Sequence, residues 1–560
     1  MADKVYDAVI VGSGATGGWA AKELCEAGME VAMLEAGPKL DPDKDFSEHL
    51  QPHDLKYRGK ANPKADERIR RPVGSRCYAC EESNTQMFVD EVDNPWTTPS
   101  DKPFWWVRGR QVGGRTIMWG RQSYRLSDYD FKAASHDGYG DDWPISYADI
   151  APYYDTVEQF VGISGQAEGL SQLPDGKFLP PMAMSCGEHM VKKAVDGMGR
   201  RMTIGRCAVN TRPHQGRAAC HYCGPCHRGC MTQSYFSSPV STLPMAEKTG
   251  KFTLVTNAVV RHVTTNGGGL ADGVFYFDRA TRSSREIKAK IVILCASTLE
   301  STRIMFNSGN ERFPGGLANS SGVMGHYLMD HFMYPGAEGI LAARNGTTRE
   351  IANRPNGIYI PRFRNIDSKD SRFIRGYGYQ GGEGVTVYEH AYSTKGFGAA
   401  FKEKVKTDTE SRVRLVGFGE MLAKRENHVR LDDKVKDAWD IPALHIDCVQ
   451  GDNERAMAKD MMESSKEMLE AAGAKITSTN TVYPPPGFAI HEVGTARMGS
   501  DPKTSVLNKW NQAHDVKNLF VMDGSCFVSI GCQNPTLTMM ALTVRACEYA
   551  VAEHKRGNLA

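Results

Sequence analysis

The chain lacks any apolar run approaching the ~20 residues that a membrane helix needs. Its first residues, Met1-Ala-Asp-Lys-Val-Tyr-Asp7, carry no basic stretch followed by an apolar one, so they do not read as a signal peptide. Charge of either sign is scarcely in excess: 68 basic against 66 acidic residues give a net +2, which argues against a nucleic-acid partner. Internal repeats, low-complexity tracts and long charge blocks are missing too. What remains, 41% hydrophobic and 24% charged over 560 residues, is ordinary for a globular protein large enough for several domains.

Cysteine is not scarce. Of 14, four fall in one run, Cys220-His-Tyr-Cys223-Gly-Pro-Cys226-His-Arg-Gly-Cys230, spaced C-x2-C-x2-C-x3-C. Bacterial ferredoxins hold iron–sulfur clusters with this local spacing. Gly216, Gly224, Pro225 and Gly229 exclude a helix through it, so the segment reads as a loop that can wrap a small inorganic core. Zinc is the competitor, because His221 and His227 lie inside the run. The number of irons stays open between four and three. The other ten cysteines, Cys77 and Cys80 included, read as buried free thiols.

At the start, Tyr6–Val11 reads as a buried strand, followed by Gly12-Ser-Gly14-Ala15-Thr-Gly17 and a helical stretch to Ala27. A second strand, Glu30–Leu34, ends at Glu35. This is G-x-G-x-x-G with its proper flanks, a dinucleotide site. Gly12 makes the tight turn, Gly14 admits a pyrophosphate at the helix N-terminus, Gly17 allows close packing, and Glu35 faces a ribose. The motif alone does not separate FAD from NAD.

Three further segments do so by resemblance. They are Arg108-Gly-Arg110-Gln-Val-Gly113-Gly114-Arg-Thr116-Ile-Met118-Trp119-Gly120, the stretch Ile291–Ile304 around Ala296-Ser297, and a tail. The tail runs through His491-Glu-Val-Gly-Thr495, Asn518–Asp523-Gly524 and Asn534-Pro-Thr536. Together with Gly12–Glu35 they resemble the glucose–methanol–choline (GMC) oxidoreductase superfamily of FAD enzymes, in its sugar dehydrogenase and pyranose oxidase branch. The resemblance implies an α/β fold. A discontinuous Rossmann-like FAD-binding domain (1–165, 251–330 and 491–560) carries an inserted α+β substrate domain (331–490) on a largely antiparallel sheet. A border region, 166–250, holds the cysteine loop, 216–232.

The same resemblance implies roles for single residues. Gly12, Gly14, Ala15 and Gly17 cradle the FAD pyrophosphate. Arg110, Gly113, Gly114, Thr116, Met118 and Trp119 run along the flavin. Val260 lies on the strand that meets the adenine. Asp523 and Gly524 close on the phosphates and ribityl chain, and Ala296 and Thr536 are further cofactor-binding residues. Met118 stands where pyranose oxidases carry the histidine that bonds covalently to the flavin, which predicts dissociable FAD.

Oxidising an alcohol removes a hydride from carbon and a proton from oxygen, and the proton needs a base near neutral pKa. By resemblance His491 is that base and Asn534 holds the hydroxyl oxygen. His326, His331 and His390 are other candidates, and the segment Gly325–His331 reads as packing or flavin-domain structure instead. Asp452–Ala472 reads as an amphipathic helix with its methionines in the core, Gly339–Val416 as antiparallel strands, and Lys39–Arg76 as a lid-like excursion.

The implied activity is oxidation of a sugar or glycoside secondary hydroxyl, at C3, with electrons leaving through the cluster. The implied partners are a small accessory subunit and a cytochrome c. Gluconate 2-, glucose 1- and fructose 5-dehydrogenases are neighbouring alternatives, and an oxygen-reducing oxidase is another. Co-export with a signal-bearing partner would make the protein periplasmic, whereas the N-terminus by itself reads as cytoplasmic.

Overall fold

The computed structural model describes residues 4–51, 53–55, 69–344, 354–384, 391, 394–407 and 410–560. His390 and part of the lid-like excursion, residues 52 and 56–68, lie outside the described residues. β1 (Val5–Val11) leads through Gly12–Gly14 into α1 (Ala15–Glu26) and then β2 (Val31–Glu35). The helix opens at Ala15, as soon as the glycine turn allows helical dihedrals. β1 and β2 pair in parallel, and their inner residues are fully buried, which is why both read as continuous apolar runs.

Seven strands make the first sheet. β1 lies between β2 and Ser284–Leu294, and Phe252–Thr256 flanks β2; Leu519–Val521 joins Ser284–Leu294, and all these pairs are parallel. An antiparallel extension follows through Ala271–Asp278 and Ala258–Thr265. The strands come from the start, middle and end of the chain, as a discontinuous cofactor domain requires.

The second sheet is antiparallel throughout, in the order Ala474–Asn480, His331–Leu341, Arg412–Glu420, Tyr377–Glu383, Ile358–Ile360 and Thr203–Ile204. The helix Asp452–Ala471 packs on one face. Its Met457, Met461 and Met468 are fully buried with Tyr377, Tyr379 and Phe332, which is a core role for the methionines. Thr203–Ile204 supplies an edge strand from the segment preceding the cysteine loop, a contribution too short to read from periodicity.

Among the described residues no helix is long and apolar enough to cross a membrane. Cys77 and Cys80 are buried despite their basic neighbours. Cys186 departs from expectation: it is exposed, at the first turn of the helix Cys186–Gly197.

Candidate active site

The glycine loop has the geometry of a cradle. Gly12 has φ +99°, and a Cβ there would meet Cys295 O at 2.3 Å. A Cβ on Gly17 would stand 1.9 Å from Gly12 O, whereas a Cβ on Gly14 meets nothing within 4 Å. Gly12 and Gly17 thus serve the fold, and Gly14 at the mouth of α1 keeps space for a ligand at the helix N-terminus. The Gly113-Gly114 turn, with φ +95° and +49°, sits on this loop: Gly113 N–H donates to Ser13 Oγ at 2.9 Å.

Several predicted cofactor residues brace the cradle. Glu35 accepts the Ser13 hydroxyl (2.6 Å) and the N–H groups of Ser13 (3.2 Å) and Gly37 (2.9 Å), and burial pushes its carboxyl pKa up. Asp523 accepts from Ser301 Oγ (2.5 Å) and Ser525 Oγ (2.6 Å) and is likewise raised by burial. Thr116 Oγ1 donates to Gly113 O and accepts from Ser238 N–H. Arg110 is held by Asn94 and by Glu300 at 3.5 Å. Ala15 begins α1, Ala296 precedes the helix Thr298–Asn307, and Val260 is half-buried on Ala258–Thr265.

A cavity of about 1500 Å³ opens beside the Gly113–Trp119 segment. It exceeds the roughly 300–1,000 Å³ of an ordinary small-molecule site, so it has room for a flavin ring and a sugar together. Met118, Trp119, Gln380, His491, Asn534 and Thr536 line it. Met118 is packed with Ile117, Phe88 and Phe488, and Trp119 Nε1 donates to Phe236 O at 3.0 Å.

His491 and Asn534, 43 residues apart, meet here with Nε2 and Nδ2 3.4 Å apart. Behind His491 stands His331, the first residue of the strand His331–Leu341. Its Nδ1 is 2.9 Å from His491 Nδ1, and its Nε2 is 2.9 Å from Gly531 O. A carbonyl only accepts, so His331 carries its proton on Nε2. Burial holds His331 down at about 4, leaving it neutral with Nδ1 bare. His491 therefore donates from Nδ1, and its Nε2 faces Asn534 as a lone pair. Burial first, then His331 and Arg115, hold His491 well below the usual imidazole range.

Asp330 anchors the segment that carries His491, accepting N–H bonds from Gly487 (2.7 Å), Ala489 (3.2 Å) and His491 (3.0 Å). Burial and then the neighbouring Glu492 raise its carboxyl to about 7. From the strand Tyr377–Glu383, Gln380 Nε2 donates to Asn534 Oδ1 at 2.8 Å, which turns the Asn534 NH2 toward His491. Sequence reasoning set His331 aside as packing or flavin-domain structure and did not single out Gln380. The dipeptide Asp330-His331 was the available signal for the first; nothing marked the second. His326 lies elsewhere, against Arg425 O and the His428 ring.

The cysteine loop borders the same cavity through Cys223, Gly224, Pro225 and His227. It is a loop, with one short turn at Cys226–Arg228. Gly224 and Gly229 have φ +107° and +105°, and a Cβ on Gly229 would strike the Phe46 ring at 2.2 Å. Backbone N–H groups point at sulfur: Tyr222 at Cys220 Sγ (3.4 Å) and Ser234 at Cys230 Sγ (3.3 Å). Among the described residues, no three of the four sulfurs lie within 4.8 Å of one another. Thiolates on one zinc ion would stand closer, about 3.8 Å apart at a Zn–S bond of about 2.3 Å. Four thiols are a donor set that an iron–sulfur cluster takes. Tyr235 ties this loop to the cofactor segment, since its hydroxyl contacts both Ile117 O and Cys226 O. Cys207, fully buried, packs with Tyr235 against the loop.

Family models described as GMC oxidoreductase match residues 6–333 and 423–543. The 2-methyl-1,2-propanediol dehydrogenase of Mycolicibacterium austroafricanum is 31% identical over 97% of this chain and 94% of its own. The fructose dehydrogenase large subunit of Gluconobacter japonicus is 27% identical over 98% of each. Formate oxidase of Aspergillus oryzae RIB40, solved in work on FAD modification, superposes with a TM-score of 0.63 at 15% identity over 99% of this chain and 100% of its own. The cradle accommodates FAD, and the chain belongs to the GMC oxidoreductase family.

Proposed function

We propose that this protein is an FAD-dependent dehydrogenase that oxidises a secondary hydroxyl of a sugar or glycoside, at C3, to a ketone. One observation carries the reading: the His491 lone pair and the Asn534 NH2 converge on one point of a large cavity beside the cofactor segment. A hydroxyl oxygen at that point accepts from Asn534 Nδ2 while its proton passes to His491 Nε2. FAD, when bound, supplies the two-electron acceptor for the substrate's hydride. Asn534, Gln380 and Trp119 orient the substrate, and orientation of this kind contributes several kcal/mol. FAD is held without a covalent bond, since Met118 offers no nucleophilic nitrogen.

The four cysteines Cys220, Cys223, Cys226 and Cys230 would hold a four-iron or three-iron cluster. When bound, such a cluster supplies one-electron transfer to an acceptor, here a cytochrome c. A relative named as a large subunit supports an assembly with a small accessory partner, and co-export with that partner would give a periplasmic location. The C3 position rests on the resemblance to glycoside 3-dehydrogenases. Absorption and EPR spectra of anaerobically purified protein, before and after a panel of sugars, test the reading. Flavin bleaching and a reduced-cluster signal with a glycoside are expected; bleaching without any iron signal would end the cluster assignment.

A second reading has one contact in its favour. His49 Nε2 and His221 Nε2 are 3.0 Å apart, and with Cys223 their ligand atoms all lie within 4.8 Å of one another, a spacing for a single metal ion. In that reading the loop holds zinc and the enzyme reduces oxygen. Iron-to-zinc ratio and peroxide yield separate the two.

A further inference from the structure

One tyrosine on the cavity wall is held in a backbone conformation that its residue type avoids. Tyr334 has φ +93°, the largest positive value of any described non-glycine residue. Among the described residues it is also the one non-glycine with positive φ inside a strand. Such a backbone costs a bulky side chain free energy and persists only where the surroundings impose it.

The sequence supplies the cause. Residue 335 is proline, and His331–Leu341 is an interior strand, paired with Arg412–Glu420 on one side and Ala474–Asn480 on the other. Proline donates nothing to a ladder and is tolerated inside a sheet only at a bulge. The register slips at this place: Met333 stands opposite Phe418 and Gly336 opposite Val416, three steps against two. Tyr334 O accepts from Asn480 Nδ2 at 3.2 Å, which pins the turned backbone.

The extra residue changes where side chains point. Phe332 and Ala337 both belong to the core under the helix Asp452–Ala471, although they lie an odd number of residues apart, which strict alternation forbids. With the bulge between them, Met333 and Tyr334 both line the cavity. Tyr334 therefore shares a strand with His331 and a cavity with His491 and Asn534. Its ring lies 6.1 Å from that of Phe488, tilted by 48°. Phe488 belongs to the segment that Asp330 holds through Gly487, Ala489 and His491, so the ring is fixed relative to the base. The exposed Arg414 guanidinium stands 5.9 Å from the ring centroid. The tyrosine is half-buried, and its hydroxyl has no partner among the described residues.

We infer that the bulge re-aims Tyr334 to form the platform on which the ring of a pyranose packs, which makes Tyr334 a specificity-determining residue that selects cyclic sugars over open-chain alcohols. The inference deepens the sugar reading above and rests on it. An aromatic ring offers a negative face to C–H groups, and tyrosine adds a polar tip. A pyranose is complementary: C–H bonds cover the face of its ring and hydroxyls surround the rim. With the platform on one wall and the Gln380–Asn534 pair on another, the ring is held while one hydroxyl reaches His491.

Steady-state kinetics of the full-length, FAD-loaded protein with a dye acceptor test this, comparing methyl glucopyranoside with D-glucitol, which has the hydroxyls but no ring. Where glucitol is not oxidised, its inhibition constant replaces KM. Tyr334→Leu is expected to raise KM for the pyranoside about 3–10-fold, the range of one aromatic contact. Its kcat, melting temperature and glucitol constant should stay close to wild type. Tyr334→Phe keeps the ring and should stay within about twofold of wild type for the pyranoside. Should Tyr334→Leu melt early, Tyr334→Met, flexible and apolar, takes its place. An unchanged pyranoside KM overturns the inference, and so does an equal loss for pyranoside and glucitol, which would make Tyr334 a packing residue. Equal losses in Tyr334→Phe and Tyr334→Leu overturn it as well, since the hydroxyl and not the ring face would then be the contact. Wild-type protein that oxidises no pyranoside overturns the sugar reading itself, and the inference with it.

Discussion

His331 Nδ1 lies 2.9 Å from His491 Nδ1, and both imidazoles are held neutral. Two protons therefore lie along this line, that of His491 Nδ1 pointing at His331 and that of His331 Nε2 pointing at Gly531 O, and the free lone pair is left on His491 Nε2, on the cavity side. His331 is a positioning residue: it decides which nitrogen of its neighbour is basic.

His491→Ala is expected to lower kcat/KM for a sugar substrate by about 10²–10⁴-fold, the usual contribution of a positioned base, with FAD content unchanged. His331→Leu is expected to lower kcat by about 10–100-fold with little change in KM, because the Nδ1 proton of His491 loses its acceptor and the two tautomers mix. Steady-state kinetics with flavin-loading checks decide both; an unaffected His491→Ala enzyme would remove the catalytic assignment.

The pH dependence has a definite sign. An ordinary imidazole titrates near 6.5, whereas His331 is pushed down to about 4. Below 6.5 the unfolded chain takes up this proton and the native protein does not. The contribution of His331 to stability is thus complete above pH 6.5 and falls as pH drops toward 4, by up to about 3 kcal/mol at about 1.4 kcal/mol per unit. Urea midpoints measured between pH 7.5 and 4.5 should fall for wild type and fall less for His331→Leu. His491 is lowered in the same direction, so kcat/KM should stay level through the normal imidazole range.

Gln380→Glu replaces a donor with an acceptor facing Asn534 Oδ1. The Asn534 amide should turn over and present its carbonyl to His491, lowering kcat about tenfold, consistent with about 1–1.5 kcal/mol for one lost hydrogen bond. Gln380→Leu should be milder, since it leaves the amide unconstrained instead of reversed. Equal kinetics in both variants would show that Asn534 is oriented by something else.

Gly14 and Gly17 should separate cofactor binding from folding. Gly17→Ala places a Cβ against Gly12 O and is expected to destabilise the apoprotein by about 1–3 kcal/mol. Gly14→Ala meets nothing within 4 Å, so the apoprotein should melt like wild type while FAD affinity falls at least tenfold. Thermal melts with and without added FAD measure both. In wild type, acid precipitation should leave the flavin in the supernatant, as a non-covalent cofactor does.

Much of the site was legible because it is local. The turn Gly12–Gly17, the Gly113-Gly114 pair and the cysteine spacing each carry their chemistry within a few residues, and glycine is needed wherever φ is positive or a backbone approaches closely. Local composition also made Cys220–Cys230 readable as a loop, which it is. Long-range pairs were not legible. Gln380 is 154 residues from Asn534, and His331 is 160 from His491. No periodicity or spacing relates such positions.

By itself, then, the amino-acid order determined the dinucleotide turn, the strand and helix alternation around it and a thiol-rich loop, since each depends on neighbours within a turn or two. Tertiary structure alone decided which nitrogen of His491 is bare and which way the Asn534 amide points. Hydrogen-bond direction is set by whatever group the fold brings within about 3 Å, and that group is remote in the chain.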